Sequence, residues 1–149
     1  MGEVRMVDVG GKGETEREAV AECRVLTKGE VTEAIKEGRV PKGEVISVAK
    51  TAGVLASKLT PQIIPLCHPV VLDFVEVDIT VGDGEIRVRS TVRGRAKTGF
   101  EMEALLSAAV AALTVYDMCK PLDKGITITD LRLLRKSGGK SGLYVREEG

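Results

Sequence analysis

Glu101 and Glu103 open an alanine- and leucine-rich stretch, and Asp117 and Lys120 close it. If Gly99–Cys119 is helical, roughly five to six turns separate these polar ends. Carboxylates in a first turn complement the helix dipole, and Thr98 is placed to cap, so Glu101 and Glu103 have an ordinary structural use. Asp117 does not, because an acid in the last turn faces the negative end of the dipole. Either Lys120 offsets that cost as a solvated surface pair, or the acid is there for proton chemistry. Lys42 precedes a second long helix, where an anion would gain from the dipole and a lysine does not; it is an anion ligand or an ordinary turn lysine. Cys67 and His68, the only histidine, lie between Pro65 and Pro69. Proline restricts its own φ and pushes the preceding residue towards extended geometry, so His68 is held rigidly. It serves as acid, base or anchor, or is a buried imidazole satisfied by backbone. The run from Lys136 through Gly138, Gly139 and Lys140 to Gly142 resembles a phosphate loop, but a P-loop needs glycine where Leu134 stands. What remains is a glycine loop with two lysines and two hydroxyls, Ser137 and Ser141, suited to cradle phosphates as a backbone nest or to form a mobile tail.

The elements that must position these residues follow from periodicity. Met102, Leu105, Leu106, Ala109, Val110, Leu113 and Tyr116 recur at helical spacing and predict the core face of a long helix. A second long helix is predicted over 43–59, with Val45, Val48, Ala49, Ala52, Leu55, Ala56 and Leu59 inward and Glu44, Lys50 and Lys58 outward. Gly53 within it costs about 1 kcal/mol relative to alanine, so a close neighbour is expected there. A short helix fits 28–38. Strands are predicted over 19–27, with Val20, Cys23 and Val25 inward, and over 126–134. A hairpin joins 72–81 to 85–95 through Gly82-Asp83-Gly84, with complementary charges on its outer face. Residues 1–16 read as an arm, 136–149 as a flexible loop and tail, and 1–149 as a single domain.

Composition removes several classes of function. With 149 residues, 43% hydrophobic and 30% charged, the chain has the makeup of one folded domain. No apolar run approaches the 18 or so residues of a membrane span, and the N-terminal residues lack signal-peptide character, so a cytoplasmic protein is expected. Twenty-two basic and 22 acidic residues balance, which removes bulk attraction for nucleic acid or an anionic membrane. Three cysteines without CxxC spacing suggest reduced thiols, and one histidine cannot build a histidine metal cluster within one chain. Lysines at element ends, a pinned histidine and carboxylates at both ends of one helix converge on a localised anion pocket with acid and base groups. An enzyme acting on a phosphorylated small molecule fits best, and a nucleotide-sensing module that needs the cations but not Asp117 is the alternative. Glu103 and Asp117 are about 21 Å apart along one helix, too far to serve one reacting centre. Two copies of the helix packed antiparallel across a two-fold axis would solve this, combining Glu101, Glu103 and His68 of one subunit with Asp117 and Lys120 of the other.

The segments MVDVGGKGETEREAVAE, KGEVISVAKTAGVLASKLTPQIIPLCHPV, TGFEMEALLSAAVAALTVYDMCK and RLLRKSGGKSG resemble the MoaC family of molybdenum cofactor biosynthesis proteins. The resemblance runs from about Met6 to Gly142. It implies an α+β domain, a ferredoxin-like antiparallel sheet packed against two long helices, assembled as a homohexamer, a trimer of dimers with sites at the dimer interface. It implies a phosphorus-oxygen lyase, cyclic pyranopterin monophosphate synthase, which rearranges a cyclised dihydro-GTP and releases pyrophosphate. Carried over by motif, Lys42, Lys120 and Asp117 are the catalytic residues. Leu66, Cys67, His68, Glu101, Met102, Glu103, Lys136 and Lys140 are implied to bind substrate. No metal ligands and no resident cofactor are implied, with magnesium assistance left open.

Overall fold

The structure, a computed structural model, describes residues 2–140 and 142–147. Five strands, β1 (Thr15–Leu26), β2 (Phe74–Val81), β3 (Glu85–Ala96), β4 (Thr127–Ser137) and β5 (Tyr144–Val145), form one antiparallel sheet in the order β2-β3-β1-β4-β5. Helices α1 (Gly29–Lys36), α2 (Val45–Ile63) and α3 (Glu101–Cys119) are the helical elements among the described residues. The first four strands follow the ferredoxin-like order, with β1 and β3 central and the long helices α2 and α3 on one face. The domain is α+β, as expected.

The strands follow their alternation. On β3, Ile86, Val88 and Val92 are buried, while Arg87, Arg89, Arg93 and Arg95 point to the open face. The hairpin was expected to pair those arginines with β2. Instead they pair mainly with β1, Glu22 receiving Arg89 and Arg132, and Glu18 receiving Arg93 and Arg135. β1 lies at the centre of the sheet, within reach of cations from both neighbours. Its inward residues are Ala19, Ala21, Cys23 and Val25, so Val20 faces the other way.

The helices depart further from expectation. The buried face of α3 is Glu103, Ala104, Ser107, Ala108, Ala111, Ala112, Val115, Met118 and Cys119, whereas Leu113 is 57% exposed and Met102 37%. Similarly α2 buries Val45, Ala49, Gly53, Ala56, Ser57 and Thr60 and leaves Val48 and Leu55 largely exposed. Small residues face inward because the helix backbones approach closely: a Cβ on Gly53 would stand 3.1 Å from the Ser107 carbonyl oxygen and 3.0 Å from Val77 Cγ2. Glu44 does not lie on the outer face of α2 but caps it, accepting from Ile46 N and Ser47 N. That helix continues past Pro61 to Ile63, since a proline in the last turn removes only one hydrogen bond. Thr98 does not cap α3; buried Phe100 occupies that place without a side-chain cap bond.

α3 is long and apolar enough, by length and composition alone, to cross a membrane, with a mean hydropathy of 1.4, contrary to the sequence expectation. Half of it is buried against the sheet and α2, the pattern of a core helix. At the termini, β1 starts at Thr15 within the expected arm. β4 carries Lys136 to Ser137, and Tyr144–Val145 pair with Lys136 and Arg135, so part of the expected flexible tail is strand. Ser141 of the glycine loop lies outside the described residues.

Candidate active site

Two clusters form at opposite ends of the α2–α3 pair. At one end, the turn before α2 brings Lys42 to Asp117, with Nζ 3.1 Å from Oδ2, while Lys120 Nζ lies 3.0 Å from Oδ1. All three side chains are substantially exposed, 43%, 57% and 55% for Lys42, Asp117 and Lys120. Surface ion pairs of this kind add little stability, so folding alone does not account for the arrangement. First Lys120 and then Lys42 hold the Asp117 carboxyl below the usual aspartate range. The result is an ionised acceptor between two ammonium donors, able to bind an anion and move a proton beside it.

At the other end, the segment leaving α2 brings Cys67 to the first turn of α3. Cys67 Sγ donates to Glu103 Oε2 at 3.5 Å, and Glu103 is only 1% exposed. Burial raises the Glu103 pKa, because desolvation penalises the carboxylate. Burial and the neighbouring Glu103 push the Cys67 thiol up to about 11, so the thiol remains protonated at neutral pH. Glu101 Oε1 is buried without a hydrogen-bond partner, 3.6 Å from Lys136 Nζ, an ion contact too long for a hydrogen bond. Gly99 provides the room for it, since a Cβ there would overlap that oxygen. His68 Nε2 sits 2.6 Å from the Val7 carbonyl oxygen, so the N-terminal arm lies on the histidine. Leu66 and Met102 are partly exposed beside these groups in sequence, at 43% and 37%.

Lys140 joins neither cluster. Together with Lys12, Arg17 and Gly139 it lines a separate cavity of about 410 Å3. Arg17 Nε and Nη2 donate to the Ala96 and Lys97 carbonyls, while Gly138, at φ 98°, packs on the Glu16–Arg17 backbone and Gly139, at φ 72°, on the guanidinium. Sequence analysis missed Lys12 and Arg17. Lys12 stood in a segment taken as an arm, and only the antiparallel pairing of β1 with β4 brings Arg17 beside the glycine loop. Tyr144 and Arg146 were missed as well, within the supposed tail. Among the described residues, no group of three or more His, Cys, Asp or Glu side chains is placed to hold a metal.

The chain is thus an α+β domain of ferredoxin-like strand order, with an exposed Lys–Asp–Lys cluster at one end of its long helix pair and a buried acid at the other. A sequence model of the MoaC family matches residues 6–139. The chain is 54% identical to the cyclic pyranopterin monophosphate synthase of Pelobacter propionicus, over 99% of this chain and 94% of that protein. It is 52% identical to the synthase of the same name from Geotalea uraniireducens, over 99% and 93%, and 48% identical to that of Heliobacterium modesticaldum, over 99% and 94%. The chain belongs to the MoaC family.

Proposed function

We propose that this chain is a cyclic pyranopterin monophosphate synthase of molybdenum cofactor biosynthesis. It converts (8S)-3',8-cyclo-7,8-dihydroguanosine 5'-triphosphate into cyclic pyranopterin monophosphate and releases pyrophosphate. The observation that carries the assignment of roles is Asp117 held between Lys42 and Lys120 on an exposed surface. The two ammonium groups neutralise charge as pyrophosphate leaves, and the ionised carboxylate accepts a proton. Glu103 and Cys67, joined by the thiol-to-carboxylate hydrogen bond, contact the heterocycle together with Leu66, His68, Glu101, Met102 and Lys136. Lys140, with Lys12 and Arg17, supplies further phosphate donors.

These clusters sit at opposite ends of α3, so we place the reacting centre between two chains. The exposed apolar residues Val48, Leu55, Met102 and Leu113 on the helix layer support a second copy of this chain as the occupant. In that arrangement the Glu101–Glu103 end of one copy meets Asp117 and Lys120 of the other, in dimers that assemble as a homohexamer working in the cytoplasm. The test is pyrophosphate release from the cyclised triphosphate by the purified full chain. Stoichiometric release is expected. Binding of GTP or of the cyclised triphosphate without release overturns the assignment.

A further inference from the structure

We infer that β5 is a working wall of the substrate site, and that Tyr144 and Arg146 are specificity-determining residues that take the donor-bearing heterocycle of a guanine-type nucleotide. The inference rests on the function proposed above for the Glu101 end of the site. Tyr144 and Arg146 line a cavity of about 410 Å3 together with Glu101, Leu133, Lys136 and Gly142.

The wall is built rather than draped. The β1–β4 register shifts between Val20 and Ala21, which leaves Leu134 as an extra residue on β4. Arg146 answers this irregularity twice: its N donates to the Leu134 carbonyl at 2.8 Å and its Nε to the Leu133 carbonyl at 2.8 Å. Tyr144 pairs with Lys136 across the strands. The guanidinium is thereby fixed by Nε, while its terminal nitrogens make no hydrogen bond among the described residues.

The chemistry of the cavity is mixed. Glu101 Oε1 is a buried acceptor with no donor within hydrogen-bond reach, and such a group calls for a ligand N–H. A polyphosphate fits the cavity of Lys12, Arg17 and Lys140 better, since three cations there outweigh the single Glu14, whereas Glu101 offsets one of the two cations here. An aminopyrimidinone edge supplies adjacent N–H donors for Glu101 and a carbonyl acceptor for Lys136 or Arg146, and its face stacks on the Tyr144 ring.

Two measurements on the full chain test this: the kinetics of pyrophosphate release and calorimetric binding of GTP and of inosine triphosphate, which lacks the 2-amino donors. Base–aromatic stacking corresponds to about tenfold or more in affinity. Tyr144→Ala and Arg146→Ala should therefore each raise KM and weaken GTP binding about tenfold, with kcat within about twofold of wild type, whereas Tyr144→Phe stays near wild type. Wild type should prefer GTP to inosine triphosphate, and Glu101→Gln should lose that preference. Val145→Ala, which alters β5 at an exposed position outside the cavity, should change neither constant. The inference is overturned if Tyr144→Ala and Arg146→Ala both bind GTP as wild type does, or if Val145→Ala is as impaired as they are. If the wild type releases no pyrophosphate, the proposed reaction fails, and the GTP-binding comparison still decides the role of β5.

Discussion

At the scale of single residues, the two acids of α3 work from opposite environments. Asp117 is exposed and kept ionised by Lys120 and Lys42, whereas Glu103 is buried and its pKa is raised by desolvation. Lys42→Ala and Lys120→Ala should each lower pyrophosphate release at least about a hundredfold. Because the pairs are exposed, the unfolding midpoint should move little. Near-normal turnover in either variant would remove that lysine from the catalytic set. For Glu103 the sign follows from linkage. A folded-state pKa above the ordinary 4.5 means that the native chain binds more protons than the unfolded one just above that pH. Stability at this site therefore declines as pH rises through that window. Glu103→Gln removes the buried charge and still accepts from Cys67, so its gain in Tm over wild type should be larger at pH 8 than at pH 4; an equal difference at both would contradict the burial effect. Gly99→Ala should push the Glu101 carboxylate from its place and raise KM. In a Glu101→Ala background the same change should have no further effect on GTP binding, and additive losses would show that Gly99 acts elsewhere.

At the scale of elements, α2 and α3 meet through small side chains. Gly53 opposes Ser107, Ala111 and Val77, with backbone among the closest atoms, so a larger side chain cannot be accommodated by rotamer change alone. Gly53→Val should cost about 1–3 kcal/mol and lower Tm by several degrees, as thermal unfolding would show. The close approach has a second consequence: leucines flanking the contact are directed outward, and Leu55 and Leu113 remain more than half exposed.

At the scale of the whole molecule, one chain brings Lys42, Asp117 and Lys120 together and Cys67, Glu103, Glu101 and Lys136 together, at opposite ends of one helix pair. A two-chain site predicts complementation. Glu103→Ala and Asp117→Ala proteins, each inactive alone, should regain activity when their subunits exchange, up to about one quarter of wild type for random pairing. If exchange is verified by mass spectrometry and no activity returns, each site is contained in one chain.

The sequence by itself determined the strand hairpin and the existence of both long helices, and it singled out the polar residues at their ends. Period-2 alternation, helix length and the misplaced charge of Asp117 are local properties that neighbours along the chain suffice to express. It pointed to the wrong face of α3, because hydrophobic periodicity ranks leucine above alanine, whereas burial here was decided by how closely Gly53 of α2 approaches Ser107 and Ala111. Only the tertiary structure could bring Arg17 to the glycine loop, since that depends on pairing β1 with β4, more than a hundred residues apart in sequence, whereas Tyr144 meets Lys136 through a short return of the chain that its glycine-rich composition concealed. The raised pKa of Glu103 likewise had no sequence signature: burial is a property of what packs over a residue, and Cys67 reaches Glu103 only because α2 and α3 lie side by side.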